Sequence, residues 1–178
     1  MTNHAGPRPT LDTDRLTLRA LVSSDAERLA LLCNDYDVAK MTAVIPHPYA
    51  LADAQAYLAR VQAHDPAREA AFAIDLPGEG LIGVLGFHPG DELGPEVGYW
   101  IGQPYWGRGY ATESLLAAMA WAQDVWGKRC VTAGHYVDNP TSGVVLIHGG
   151  FLYTGQTELK PCVARGEAVL SRRMVWLA

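Results

Sequence analysis

Residues 99–113 read Tyr99-Trp100-Ile101-Gly102-Gln103-Pro104-Tyr105-Trp106-Gly107-Arg108-Gly109-Tyr110-Ala111-Thr112-Glu113, and the fold is decided in this stretch. A strand ending at Ile101 runs into a glycine-rich turn, which opens directly into a long helix starting near Tyr110. The first amides of a helix have no intrahelical acceptor, and the macrodipole adds positive potential there. Gly107 and Gly109 let the backbone approach a ligand without a Cβ clash. Such a turn suits a diphosphate, and Thr112 adds a hydroxyl donor. Gly102 and Gly107 also stand at the GxxxxG spacing of a P-loop. However, Arg108 replaces the P-loop lysine and Gly109 its magnesium-binding hydroxyl. The dinucleotide fingerprint fails as well, since Thr112 stands where its third glycine belongs and no parallel βαβαβ pattern surrounds it. A tight strand-to-helix turn without a ligand is the plain alternative.

Working outward, Pro95 to Ile101 reads as the strand before the turn, and Tyr110 to Trp126 as the helix after it. Leu115, Leu116, Met119, Trp121, Ala122, Val125 and Trp126 cover more than half of that helix, which predicts a mostly buried element; Gly127 stops it. Upstream, Arg15 to Arg19 alternates as a half-buried first strand. A short helix follows from Ser24 or Asp25 to about Asn34, with another turn or two over 37–42. Ala52 to Ala63 is helical, with Ala54, Tyr57, Leu58 and Val61 on one face. Ala70 to Leu76 and Leu81 to His88 form a hairpin around Pro77-Gly78-Glu79-Gly80. Downstream, Lys128 to Val137 is a strand. Asp138 or Asn139 caps a short helix that ends at Gly149-Gly150. Phe151 to Gly155 and Ala168 to Leu177 are the last strands. Only the segments around the long helix require a parallel crossover. The predicted architecture is α/β: one mostly antiparallel mixed sheet within a single domain over residues 10–178, preceded by a loose arm over residues 1–9.

Composition narrows the class. The chain has 178 residues, enough for one cored domain, and a formal net charge of −5 with no basic stripe, which argues against a nucleic-acid partner. Cys33, Cys130 and Cys162 lie far apart without a CxxC, which argues against a disulfide framework or zinc site; Cys130 reads as a core thiol. No HExxH or close His/Cys cluster is present, so no metal is expected. No apolar leader or membrane-length run occurs, and the expected compartment is the cytoplasm.

The run Trp106-Gly107-Arg108-Gly109-Tyr110-Ala111-Thr112-Glu113 resembles the acetyl-CoA turn of the GCN5-related N-acetyltransferase (GNAT) superfamily. It is most similar to the group of Rim-type ribosomal-protein N-terminal acetyltransferases. Thr13-Asp14-Arg15-Leu16-Thr17-Leu18-Arg19 resembles that group's first strand, and Asn139-x-x-Ser142 before Gly150-Phe151 its later motif. The resemblance implies helices on both sheet faces and a V-shaped split between the two central strands. It also implies that acetyl-CoA is the co-substrate, bound through Trp106, Gly107, Arg108, Gly109, Tyr110, Ala111 and Thr112. Main-chain groups of Trp100 and Ile101 would hold the pantetheine arm, with Asn139 on its amide. This sequence departs from the pattern at Pro104, where Gln or Arg is common and Gln103 stands one place early. It departs again at Leu146, where many relatives carry an acid tyrosine.

Transfer of an acetyl group from a thioester needs a neutral amine, a donor for the carbonyl oxygen, and a proton for the leaving thiolate. Glu96, at the start of the same strand, is the candidate base; an exposed strand-end carboxylate is its plain alternative. Ser142 is the candidate acid, with helix capping as its alternative. His88, His135 and His148 are further candidate bases, and Tyr36, Tyr49 and the Ile45–Ala50 loop candidate walls of the amine pocket. The resemblance implies a primary-amine acceptor, foremost the α-amine of a protein or peptide. A small amine (aminoglycoside, polyamine or amino acid) is the runner-up, a non-catalytic acyl-CoA sensor the alternative of another class, and a homodimer one assembly left open.

Overall fold

A computed structural model describes residues 9–178. The arm expected over residues 1–9 lies outside the described residues except for Pro9. In chain order the elements are β1 (Leu11–Asp12), β2 (Thr17–Arg19), α1 (Ala26–Cys33), α2 (Tyr36–Ala39), α3 (Leu51–Gln62), β3 (Ala70–Leu76), β4 (Gly80–His88), β5 (Glu96–Ile101), α4 (Tyr110–Asp124), β6 (Cys130–Tyr136), α5 (Pro140–His148), β7 (Leu152–Cys162) and β8 (Glu167–Leu177). The eight strands form one sheet in the order β1-β2-β3-β4-β5-β6-β8-β7. Every neighbouring pair is antiparallel except β5 and β6. The parallel pair needs a crossover, and α4 provides it.

The near-continuous apolar runs of β3 and β4 are explained by helices on both faces of the sheet. Register places Phe72 beside Leu85 and Phe87 beside Val97, so these side chains share one face. There α4 covers them: Phe72 meets Trp121 edge-on at 5.2 Å, Phe87 meets Trp126 at 5.5 Å, and the two indoles stack at 5.3 Å. Burying each such ring contributes about 1.5–3 kcal/mol. The opposite face carries α1, whose Leu32 packs so closely on Gly102 that a Cβ there would lie 2.8 Å from its methyl carbon.

Several boundaries differ from the sequence reading. The first strand is preceded by the short β1, because Thr13 turns the chain back: its N–H donates to the Leu16 carbonyl and its Oγ1 accepts from the Leu16 amide. β7 runs on to Cys162 rather than ending at Gly155; that glycine (φ +82°) lies within a register shift between Tyr153 and Thr157, beyond which pairing with β8 resumes. The long helix ends at Asp124, and Leu116 and Val125 are exposed, since only one side of α4 meets the sheet. Cys130, expected in the core, is half-buried, whereas Cys33 and Cys162 are buried.

Candidate active site

Gly107 (φ +72°) and Gly109 (φ +80°) hold the turn before α4 in the left-handed region. A Cβ on Gly107 would meet nothing within 4 Å. Helix α4 starts without a side-chain cap, and its first helical bond runs from the Glu113 amide to the Gly109 carbonyl (3.0 Å). Among the described residues, the amides of Gly107, Arg108, Gly109, Tyr110, Ala111 and Thr112 therefore have no partner. The turn is fastened from behind: Trp106 Nε1 donates to the Ile101 carbonyl at 2.6 Å.

Strands β5 and β6 pair only at Glu96 and Thr132, where the Thr132 amide reaches the Pro95 carbonyl (2.9 Å). Beyond that point β5 stays with β4 to Ile101 and β6 stays with β8 to Tyr136, which leaves a V-shaped split. The direction of the β5 main chain follows from one bond. The Gly102 amide donates to the Ile82 carbonyl, so alternate residues Trp100 and Gly98 also turn their peptide groups to β4. The groups turned to the split belong to Val97, Tyr99 and Ile101. Trp100 thus differs from expectation: its main chain is committed to the sheet. The Ile101 carbonyl is taken by Trp106, and its N–H remains on the split side.

On the α4 face, helix α5 stands above the split. Asn139 caps it, its Oδ1 accepting from the Ser142 amide at 3.3 Å, which leaves the Asn139 Nδ2 donors unspent among the described residues. The Tyr99 hydroxyl donates to the Ser142 carbonyl (3.1 Å) and lies 3.0 Å from Ser142 Oγ. Burial pushes the Tyr99 phenol well above its ordinary pKa, so it stays protonated. Buried His135 places Nδ1 2.8 Å from the Tyr136 carbonyl, which can only accept; Nε2 then accepts from the Tyr153 hydroxyl at 2.9 Å when the ring is neutral. Gly143 lies over this bond, and a Cβ there would be 2.7 Å from both His135 Nε2 and the Tyr153 oxygen. His148 and His88 are exposed.

On the opposite face, Glu96 is ion-paired with Lys160 (2.6 Å), which also lies 3.5 Å from Glu158. These residues border a polar cavity of about 280 Å³ together with Asp91, Thr132 and Arg173. Gly98 adjoins on the same face, exposed, with nothing within 4 Å of its Cβ position. The segment from α2 to Ala43 bridges the wide end of the split on this side. Asp37 reaches Gln103 past β5 (3.4 Å). Arg165 donates to the Lys40 carbonyl (2.8 Å) and pairs with Asp138 just past β6 (2.6 Å). Tyr49 is buried in the core and Tyr36 stacks edge-on with His47.

The fold brings the 106–112 turn, the split, Asn139 and Ser142 together on the α4 face and sets Glu96 at the closed end on the other. Sequence reasoning missed the side chain of Tyr99, the Tyr153–His135 pair, Lys160 and Arg165, all joined by contacts across long stretches of chain. Thr13 and Arg15 were legible as a motif but not as partners of the turn. Among the described residues, no group of three or more His, Cys, Asp or Glu side chains is placed to hold a metal, and no helix is long and apolar enough to cross a membrane.

A family model described as an acetyltransferase (GNAT) domain matches residues 15–152. The chain is 29% identical over 155 residues to the uncharacterized N-acetyltransferase YoaA of Bacillus subtilis (strain 168), covering 83% of this chain and 85% of that protein. Among solved structures it is similar to the ribosomal-protein-S5-alanine acetyltransferase of Vibrio fischeri (TM-score 0.81, 18% identity, 96% of this chain and 97% of that one). It is also similar to the spermidine N-acetyltransferase of Vibrio cholerae in complex with CoA and spermine (TM-score 0.76, 21% identity, 93% and 96%).

Proposed function

The chain belongs to the GNAT acetyltransferase family, and on that premise we propose that it acetylates the α-amine of a protein or peptide N-terminus from acetyl-CoA, as a Rim-type enzyme. The observation that carries the acetyl-CoA assignment is the row of six unpartnered amides from Gly107 to Thr112, at the wide end of a split sheet. Those amides, with the dipole of the fifteen-residue α4 behind them, suit the diphosphate. The Val97 carbonyl, the Tyr99 main chain and the Ile101 N–H offer partners to the pantetheine arm, as an added strand would use. Asn139 Nδ2 offers a donor to its amide.

In this reading the Tyr99 N–H faces the thioester oxygen, where negative charge develops. Glu96 takes the amine proton through water, about 10 Å along the strand from Tyr99 at 3.3 Å per residue. The amine nitrogen bonds to the carbonyl carbon as the carbon–sulfur bond breaks. Ser142, beside Tyr99, passes its proton to the thiolate and is reprotonated by the proton that the acylated nitrogen sheds as the amide forms. Much of the rate comes from holding both substrates in line. Free thiols at Cys33, Cys130 and Cys162 fit a reducing compartment, and the cytoplasm is the location proposed.

The second reading is a small-molecule amine acceptor. It is favoured by the polar cavity beside Glu96 and by likeness to a spermidine acetyltransferase. A panel of N-terminal peptides and small amines, read by release of free thiol from acetyl-CoA, separates the two. Turnover confined to small amines overturns the N-terminal assignment. CoA binding without turnover on any amine favours a sensor.

A further inference from the structure

Arg15 lies 93 residues before Arg108, yet its side chain reaches both the glycine-rich turn and the first turn of α4. Its Nε donates to Glu113 Oε2 at 2.7 Å, and Nη2 lies 2.6 Å from the same oxygen. Nη1 donates to the Arg108 carbonyl at 3.0 Å, and the guanidinium lies over the Tyr110 ring at 4.7 Å. Glu113 Oε1 accepts from the Arg15 amide (2.9 Å) and from Thr13 Oγ1 (2.6 Å). This wiring meets an electrostatic problem. Glu113 stands in the first turn of α4, beside the free amides, where a carboxylate favours the helix dipole but opposes an anionic ligand. Burial alone would raise the Glu113 pKa. The bonds from Thr13 and Arg15, and the Arg15 charge, more than offset this and hold it below the ordinary range, so the carboxylate is ionised at neutral pH. The positive partner that balances it comes from the loop between β1 and β2.

We propose that Arg15 is a positioning residue of the diphosphate turn: it cancels the Glu113 charge and holds the Arg108 carbonyl, so that the Gly107–Thr112 amides present net positive potential to the ligand. This rests on the acetyl-CoA reading above. A guanidinium is needed because the task is a fork, with one edge on a carboxylate and another donor on a carbonyl.

The test compares wild type with Arg15→Met, Glu113→Gln and the double variant, using calorimetric titration with CoA and steady-state kinetics with acetyl-CoA and with acetylpantetheine, which lacks the diphosphate. Arg15→Met is expected to weaken CoA binding about tenfold. It should raise the KM for acetyl-CoA in parallel while leaving the KM for acetylpantetheine unchanged. Adding Glu113→Gln should recover most of the lost CoA affinity, because the uncompensated charge is gone. Equal losses with both donors, or no recovery in the double variant, would mean that Arg15 only holds the fold, and would overturn the proposal. If Arg15→Met does not fold, Arg15→Lys serves: it keeps the charge but not the fork, and should lose part of the CoA affinity and none of the acetylpantetheine KM. Wild-type protein that binds no CoA would instead sink the underlying acetyl-CoA reading.

Discussion

The hydroxyls of Tyr99 on β5 and Ser142 on α5 lie 3.0 Å apart, tying the strand beside the split to the helix above it. Because the Tyr99 proton is given to the Ser142 carbonyl, the Ser142 proton points to Tyr99 and must swing away to reach a thiolate. Ser142→Ala is expected to lower kcat by about 10²-fold with little change in CoA affinity. Tyr99→Phe should lower it less, because Ser142 keeps its proton. A rise in the CoA Kd with kcat intact would reduce Ser142 to a binding group.

Glu96 sits at the closed end of the split in an ion pair with Lys160. Glu96→Gln should lower the rate most near and below neutral pH, where the substrate amine is an ammonium ion, and least at alkaline pH, where the amine is neutral without help. A pH–rate profile of unchanged shape and height would remove Glu96 from the role of base.

Gly107 adopts φ +72° with open space around its Cβ position. Alanine there meets no neighbour but is strained by about 1–2 kcal/mol in the left-handed region. Gly107→Ala should therefore lose about that much stability in denaturant unfolding and bind CoA more weakly. Unchanged affinity would show that this part of the turn does not contact the diphosphate.

Gly143 is a helix-interior glycine whose absent side chain makes room for the bond between His135 and Tyr153. Alanine gains about 1 kcal/mol of helix propensity but crowds a buried ring. Gly143→Ala is expected to destabilise by about 1–2 kcal/mol net, and Tyr153→Phe in that background should recover part of it. A stabilised Gly143→Ala protein would show that the pair yields without cost.

Glu113 has a lowered pKa in the folded state, below the ordinary 4.5. A group depressed on folding contributes stability above its unfolded pKa and loses it as pH falls toward the folded one. Denaturant midpoints should therefore fall as the pH drops below about 4.5. Thr13→Val, which removes the 2.6 Å bond to Glu113, should flatten that dependence. Parallel curves for the two proteins would contradict the assignment.

By itself, the sequence determined the strand, turn and helix around Gly107 and Gly109, the parallel crossover through α4, and the family. These rest on local rules: glycine where φ is positive, apolar periodicity for each element, and a helix start without a cap. The chain beyond Gly155 was misread because a glycine inside a paired strand looks like a stop until the facing strand is known. Which peptide groups of β5 face the split was undecidable for the same reason, since a single bond from Gly102 to Ile82 sets the alternation. Only the tertiary structure joined Arg15 to Glu113, Tyr99 to Ser142 and Lys160 to Glu96. Such pairs join side chains 43 to 98 residues apart. Their contact depends on how helices and strands pack, and no local preference of either residue encodes it.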